Sequence, residues 1–126
     1  MKEIITTSGA PAPIGPYNQA VKFGDFLFVS GQIALDAGSG ELMNSSIQEE
    51  ATKVMSNLEA VLEAAGYSVR DILKTSIFLS DMDLFNEVNA IYASYFESDF
   101  PARETVAVKG LPKGVNVEIS VIAAKQ

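Results

Sequence analysis

The chain contains no cysteine and no histidine. The first absence excludes disulfides and thiolate nucleophiles. The second excludes Ser-His and Cys-His pairs, and the two together remove the commonest transition-metal ligands. Any catalysis must therefore come from carboxylate, hydroxyl, Lys, Arg or backbone groups. Basic residues are few as well: 9 Lys plus Arg against 16 Asp plus Glu leave a net charge of -7, the wrong sign for broad contact with nucleic-acid phosphates. No stretch approaches the ~20 apolar residues of a membrane span, and the opening MKEIITTSGAPAPIG lacks the apolar run of a secretory signal. The expectation is a soluble, cytoplasmic protein that engages neither membrane nor nucleic acid. No Pro/Gly/Ser-rich linker, internal repeat or low-complexity tract divides the 126 residues, so one domain over 1–126 is expected.

What is present is a sequence of alternating and helical periods. Residues 2–6 read as a short strand, followed by the proline-stiffened loop SGAPAPIGPYNQ. Two apolar runs, AVKF and DFLFVSGQIA, meet at Gly24-Asp25, a pair suited to a two-residue hairpin turn. After the glycine-rich turn DAGSGELM, Ser46 and Glu49 form a capping-box signature. Ile47, Ala51, Val54, Met55, Leu58, Leu62 and Ala65 then recur at helical spacing, and Gly66 is placed to end the helix. The acidic run EEATK reads as the solvated face of that helix. Residues 69–80 return to strand composition, and a second helix over 83–96 presents Leu84, Val88, Ile91, Tyr92 and Tyr95 on one face with Asp81 or Asp83 as its cap.

The closing stretch FPARETVAVKGLPKGVNVEISVIAAKQ reads as two further strands paired as a hairpin. The order β, β, β, α, β, α, β, β implies an α+β fold: a single mixed β-sheet with two helices packed on one face. Two helices can cover only one face of a sheet. The apolar residues at both parities in FLFV and LKTSIFL suggest that the other face is buried against another subunit.

Side-chain alternation on the last strand puts Asn116, Glu118 and Ser120 opposite Val115, Val117, Ile119 and Val121. If Val106 and Val108 join that valine face, then Arg103, Thr105, Glu118 and Ser120 lie together as a polar cluster. The plain alternative is a cross-strand salt bridge, common on sheet surfaces and contributing roughly 0.2–1 kcal/mol. An Arg fork, however, is also the geometry that grips a ligand carboxylate in two parallel bonds. Tyr17 on the stiff loop and Ser30-Gly31 at a strand end are further candidates, each with an ordinary structural explanation as packing residue and turn. Asn89 borders the apolar stripe of the second helix. GSGE at 38–41 lacks the Lys and Ser/Thr of a phosphate loop, and no spacing of carboxylates points to a metal site.

GPYNQAV, LFVSGQI, EAAG and above all PAR followed by GLPKGVNVEISVIA resemble the RidA/YjgF family of reactive-intermediate deaminases, in order and over essentially the whole chain. The resemblance implies a chorismate-mutase-like protomer, a homotrimer with ligand clefts between subunits, and no cofactor. It implies hydrolysis of 2-imino acids or their enamines (2-aminoacrylate, 2-iminopropanoate, 2-iminobutanoate) to 2-keto acids and ammonia. Carried over by position, Arg103 corresponds to the carboxylate-binding arginine and Glu118 to the acid that orients or activates water. Tyr17, Ser30, Gly31 and Asn89 correspond to residues lining the cleft. Thr105 stands where relatives often carry cysteine, so a mechanism requiring a thiol there does not fit this chain. Two other readings stand beside the deaminase: a non-catalytic trimeric binding or sensor module for small keto acids or carboxylates, and a ribonuclease, which the charge and the missing histidines disfavour.

Overall fold

Gly24, at φ +60, turns the chain between strands β2 (Ala20–Phe23) and β3 (Phe26–Gln32), as the Gly-Asp pair predicts. The computed structural model describes all 126 residues. Before this hairpin comes β1 (Glu3–Ile5); after it follow α1 (Ile47–Ala64), β4 (Ile72–Leu79), α2 (Phe85–Ala93), β5 (Ala102–Ala107) and β6 (Val117–Ala124). Together the strands form one six-stranded sheet in the order β1-β2-β3-β6-β4-β5. All its pairings are antiparallel except β4 with β5, which are parallel. The α+β class and mixed sheet are therefore as expected.

Helix α1 begins where its cap signature lies: the Ser46 side chain accepts from the Glu49 N–H, a contact worth about 1 kcal/mol. The Glu49 carboxylate reaches back to the Ser45 N–H and hydroxyl rather than to Ser46. Gly66, at φ +82, ends the helix. Its buried stripe of Ala51, Val54, Met55, Leu58, Val61 and Leu62 packs on Leu27, Val29, Ile119 and Val121 of the sheet within one continuous core. Helix α2 is shorter than the periodicity suggests. A 3-10 turn over Met82–Leu84, capped by Asp81, precedes it, and beyond Ala93 the N–H groups of Tyr95 and Phe96 bond three residues back, tightening the last turn out of α geometry.

The closing hairpin is not formed. The β4–α2–β5 segment is a crossover that lays β5 parallel to β4 at the sheet edge, and residues 108–116 carry the chain past β4 so that β6 inserts between β3 and β4. The inference drawn from the hairpin fails with it. Arg103 is level with Thr75, and Thr75 with Val121; Thr75 is buried and bonded to Tyr92 of α2, so this row faces the helices. Glu118 is level with Phe78, and Phe78 with Val106, which is exposed on the opposite face. Arg103 and Thr105 therefore lie on the helix face, Glu118 and Ser120 on the other. Val106 joins Glu118 rather than the valines of β6.

That second face is open and apolar. Ile4, Phe23, Phe26, Phe28 and Val106 all expose more than two-fifths of their surface, with Phe26 at 48% and Phe28 at 47%. Contiguous exposed apolar surface is the kind of feature that interaction surfaces carry. The acidic run is also corrected: Glu50 is wholly buried.

The proline-rich loop over 7–18 is held by one side chain. Gln19, 2% exposed, accepts from the Thr7 N–H and donates to the carbonyls of Thr7, Ala10 and Pro11 at 2.9–3.1 Å. Gln19→Ala is expected to lower stability by about 2–3 kcal/mol, because it strands several polar groups at once. Urea unfolding measures this, and limited proteolysis should cut first within residues 7–18.

Candidate active site

Strands β3 and β6 run in register from Phe26 to Val29, then slip: Val29 pairs with Val121 but Gln32 with Ile119, so Ser30 and Gly31 bulge out. The bulge aims the Ser30 hydroxyl at the Asn18 carbonyl, 2.6 Å away, and brings the Gly31 backbone against Glu118. A Cβ on Gly31 would lie 2.2 Å from Glu118 Oε2 and 2.8 Å from its carboxyl carbon, so only glycine leaves room for the acid. Tyr17 leans over the same place from the loop. Tyr17, Ser30, Gly31, Glu118 and Lys113 share one cleft of about 450 Å³. Lys113 lies just before β6 with φ +56, a left-handed conformation uncommon outside glycine.

Burial raises the Glu118 pKa above the ordinary 4.5. No ion pair involves this carboxylate. The raised folded-state value means that the protonated native chain is favoured. The corresponding stability is complete below pH 4.5 and is lost as pH rises through the folded-state pKa.

Arg103 forms a second centre on β5. Its Nη1 donates to Asn89 Oδ1 at 2.7 Å, and the guanidinium lies over the rings of Tyr92 and Phe85 at 5.2 and 5.7 Å. Tyr92 is fixed in turn by its hydroxyl on Thr75 Oγ1 at 2.9 Å. None of the chain's ion pairs includes Arg103. The fork is thus oriented by an amide and two rings while its charge has no carboxylate partner. Asn89, Tyr92 and Arg103 border a cleft of about 430 Å³.

The expected site residues thus fall into two groups: Tyr17, Ser30, Gly31 and Glu118 in one cleft, Asn89 and Arg103 in another. Thr105 lines neither, and its Oγ1 is buried with no hydrogen-bond partner. Sequence reasoning missed Tyr92 and Phe85 as the guanidinium's cradle, since an apolar stripe carries no mark of which ring meets a cation. It also missed Glu50, although helical spacing does mark that residue, three positions after Ile47 and four before Val54.

The protomer is a six-stranded α+β domain with an open apolar face, a guanidinium without a carboxylate partner and a partly desolvated carboxylate. A family model described as Endoribonuclease L-PSP matches residues 7–125, and the chain belongs to this family, also called RidA/YjgF. It is 48% identical to a RutC family protein of Pyrococcus horikoshii over 126 residues, the whole of both chains. It is 42% identical to the human 2-iminobutanoate/2-iminopropanoate deaminase, covering 98% of this chain and 90% of that one. The structure of Escherichia coli TdcF with bound serine superposes with a TM-score of 0.94 at 38% identity, covering 98% of this chain and 99% of that one.

Gly31→Ala is expected to leave the fold intact, because the clashing atoms are the far end of a side chain, and to drive Glu118 toward water. Carboxyl-carbon NMR of the variant should then show the Glu118 titration midpoint falling toward 4.5.

Proposed function

We propose that the protein hydrolyses 2-imino acids and their enamine tautomers to 2-keto acids and ammonia. The observation that carries this reading is the Arg103 fork, held by Asn89 and two rings with no carboxylate of its own. It suits the α-carboxylate of a small substrate by two parallel charge-assisted bonds. The naming of the human relative and the serine in the TdcF structure support a ligand of this class.

Within one chain Arg103 and Glu118 face opposite sides of the sheet, so one chain does not supply a complete site. Arg103 is on the edge strand and Glu118 on the open apolar face. If the edge of one copy meets the face of the next, the two centres combine, and such a head-to-tail contact forms a ring when the rotation between copies closes. A homotrimer with three shared clefts satisfies this and covers Phe26 and Phe28. In the shared cleft Arg103 of one subunit holds the carboxylate, while Glu118 of its neighbour accepts a proton from the water that attacks the imine carbon. Attack on the protonated imine gives a neutral carbinolamine; Glu118 passes its proton to the nitrogen, and as the C–N bond breaks the hydroxyl proton moves to the departing ammonia, which leaves as ammonium with the keto acid formed. No covalent enzyme intermediate is needed, and positioning supplies much of the acceleration.

The test generates 2-aminoacrylate or 2-iminopropanoate in situ and follows its loss. Arg103→Ala is expected to reduce kcat/KM about 100-fold, and Glu118→Gln to reduce kcat by about 10²–10⁴-fold. Wild-type kcat should rise with pH along a limb whose midpoint exceeds 4.5, since the ionised carboxylate is the active form, and that limb should vanish in Glu118→Gln. No acceleration by wild type would overturn the reading. Saturable keto-acid binding through Arg103 with no turnover would establish the binding-module alternative.

The shared site has its own test. Light scattering should give about three times the 13.5 kDa chain mass. Subunits carrying Arg103→Ala, unfolded and refolded together with subunits carrying Glu118→Gln, should recover activity at about a quarter of the sites, because some contacts then join an intact Arg103 to an intact Glu118. A monomeric mass at micromolar concentration, or no recovery, would refute the arrangement.

A further inference from the structure

Glu50 lies in the first turns of α1 and is 0% exposed, yet no cation pairs with it. A buried carboxylate without a counter-ion is costly and persists only where hydrogen bonds satisfy it. All its side-chain partners belong to two consecutive residues. Oε2 accepts from the N–H of Asn116 at 2.7 Å and of Val117 at 3.1 Å, and Oε1 accepts from the Asn116 side chain at 3.0 Å. Asn116 is held from the other side as well, by the Ser80 hydroxyl on its Oδ1 and the Ser80 N–H on its carbonyl.

These contacts occur where the ladder on the β3 side of β6 has stopped. β3 ends at Gln32, level with Ile119, so the N–H groups of Asn116 and Val117 lie beyond its reach. Glu50 supplies one oxygen, Oε2, to both N–H groups and the other, Oε1, to the Asn116 side-chain amide; a glutamine keeps only one oxygen and sets its own NH2 against one of these donors. Glu118 is the next residue, and its carboxylate packs over Gly31 at the cleft.

We propose that Glu50 is a positioning residue for Glu118: its buried carboxylate clamps the start of β6 and thereby fixes where the proposed proton acceptor stands. The functional consequence rests on the deaminase reading; the structural one does not. Glu50 touches no substrate and acts only through the backbone of residues 116–117.

The experiment compares wild type, Glu50→Gln and Asn116→Ala. Glu50→Gln turns a donor toward groups that are themselves donors; Asn116→Ala keeps both backbone bonds to Glu50 and removes two side-chain bonds, one to Glu50 and one from Ser80. In the imine assay, kcat is expected to fall about tenfold in Glu50→Gln and less in Asn116→Ala. KM and keto-acid affinity, set by Arg103, should stay within about twofold, with the oligomeric mass unchanged. A merely structural role would lower binding, kcat and thermal midpoint together. Independently of activity, carboxyl-carbon NMR should show the Glu118 midpoint moving toward 4.5 in Glu50→Gln, while Lys113 and Tyr17, the other ionisable groups about the cleft, are retained. An unaltered Glu118 signal in folded Glu50→Gln would overturn the proposal whatever the activity. A moved signal in a protein that accelerates no imine hydrolysis would uphold the clamp and reject the deaminase reading. Should Glu50→Gln fail to fold, the decision passes to Asn116→Ala: a shifted Glu118 signal with unchanged keto-acid affinity supports the clamp, and an unshifted one overturns it.

Discussion

Strand β6 lies between β3 and β4, and the strict alternation along it joins the core to the cleft. Val117, Ile119, Val121 and Ala123 are buried against the helices, while Glu118 and Ser120 project to the other face. Because the alternate residues are locked by core packing, a one-residue slip of β6 would send the valines to the open side and Glu118 into the core. The bulge at Ser30-Gly31 is the one irregularity in its pairing with β3, and that bulge accommodates the carboxylate. The hydrophobic effect, acting on one face of this strand, thus fixes the register that delivers an ionisable group to the other.

The two charged centres are prepared in different ways. Arg103 is oriented by an amide and aromatic faces, which direct a guanidinium without neutralising it. Glu118 is left without a cation, and burial favours its protonated form. In a chain of net charge -7, an unpaired guanidinium is also a local positive potential for a small anion. Placing the two on opposite faces keeps them from pairing with each other inside one protomer. A direct Arg103–Glu118 bridge would satisfy both groups and leave neither for a ligand.

Local signals in the sequence led to correct local structure. Ser46 and Gly66 bound α1, and Gly24 turns the first hairpin, because each conformation is decided within a few residues. The apolar residues of both parities in FLFV anticipated the exposed Phe26 and Phe28 face. Strand neighbours were not legible. Alternation assigns Glu118 and Arg103 to one side of their own strands, but which side of the sheet that becomes depends on the adjoining strand. Here β5 follows a helical crossover and pairs with β4, so the proximity expected of a hairpin is lost even though each residue lines a cleft. Residue type misled at Glu50: its charge suggested solvent, whereas its place in the helical period indicated burial, and the period was right.

Glu50 and Thr105 show two fates of a buried polar atom. Glu50 finds all its partners inside the chain, so its cost is offset locally and its effect is to fix backbone. The Thr105 hydroxyl finds none, although a buried unpaired polar group typically costs about 1–3 kcal/mol. It sits on edge strand β5, two residues beyond Arg103 and on the same side. The protomer therefore leaves an unpaired guanidinium at its edge and an apolar face with a partly desolvated acid on its flank. These unmet demands are complementary in charge and in polarity, which is the physical reason to look for the site between copies of this chain rather than within one.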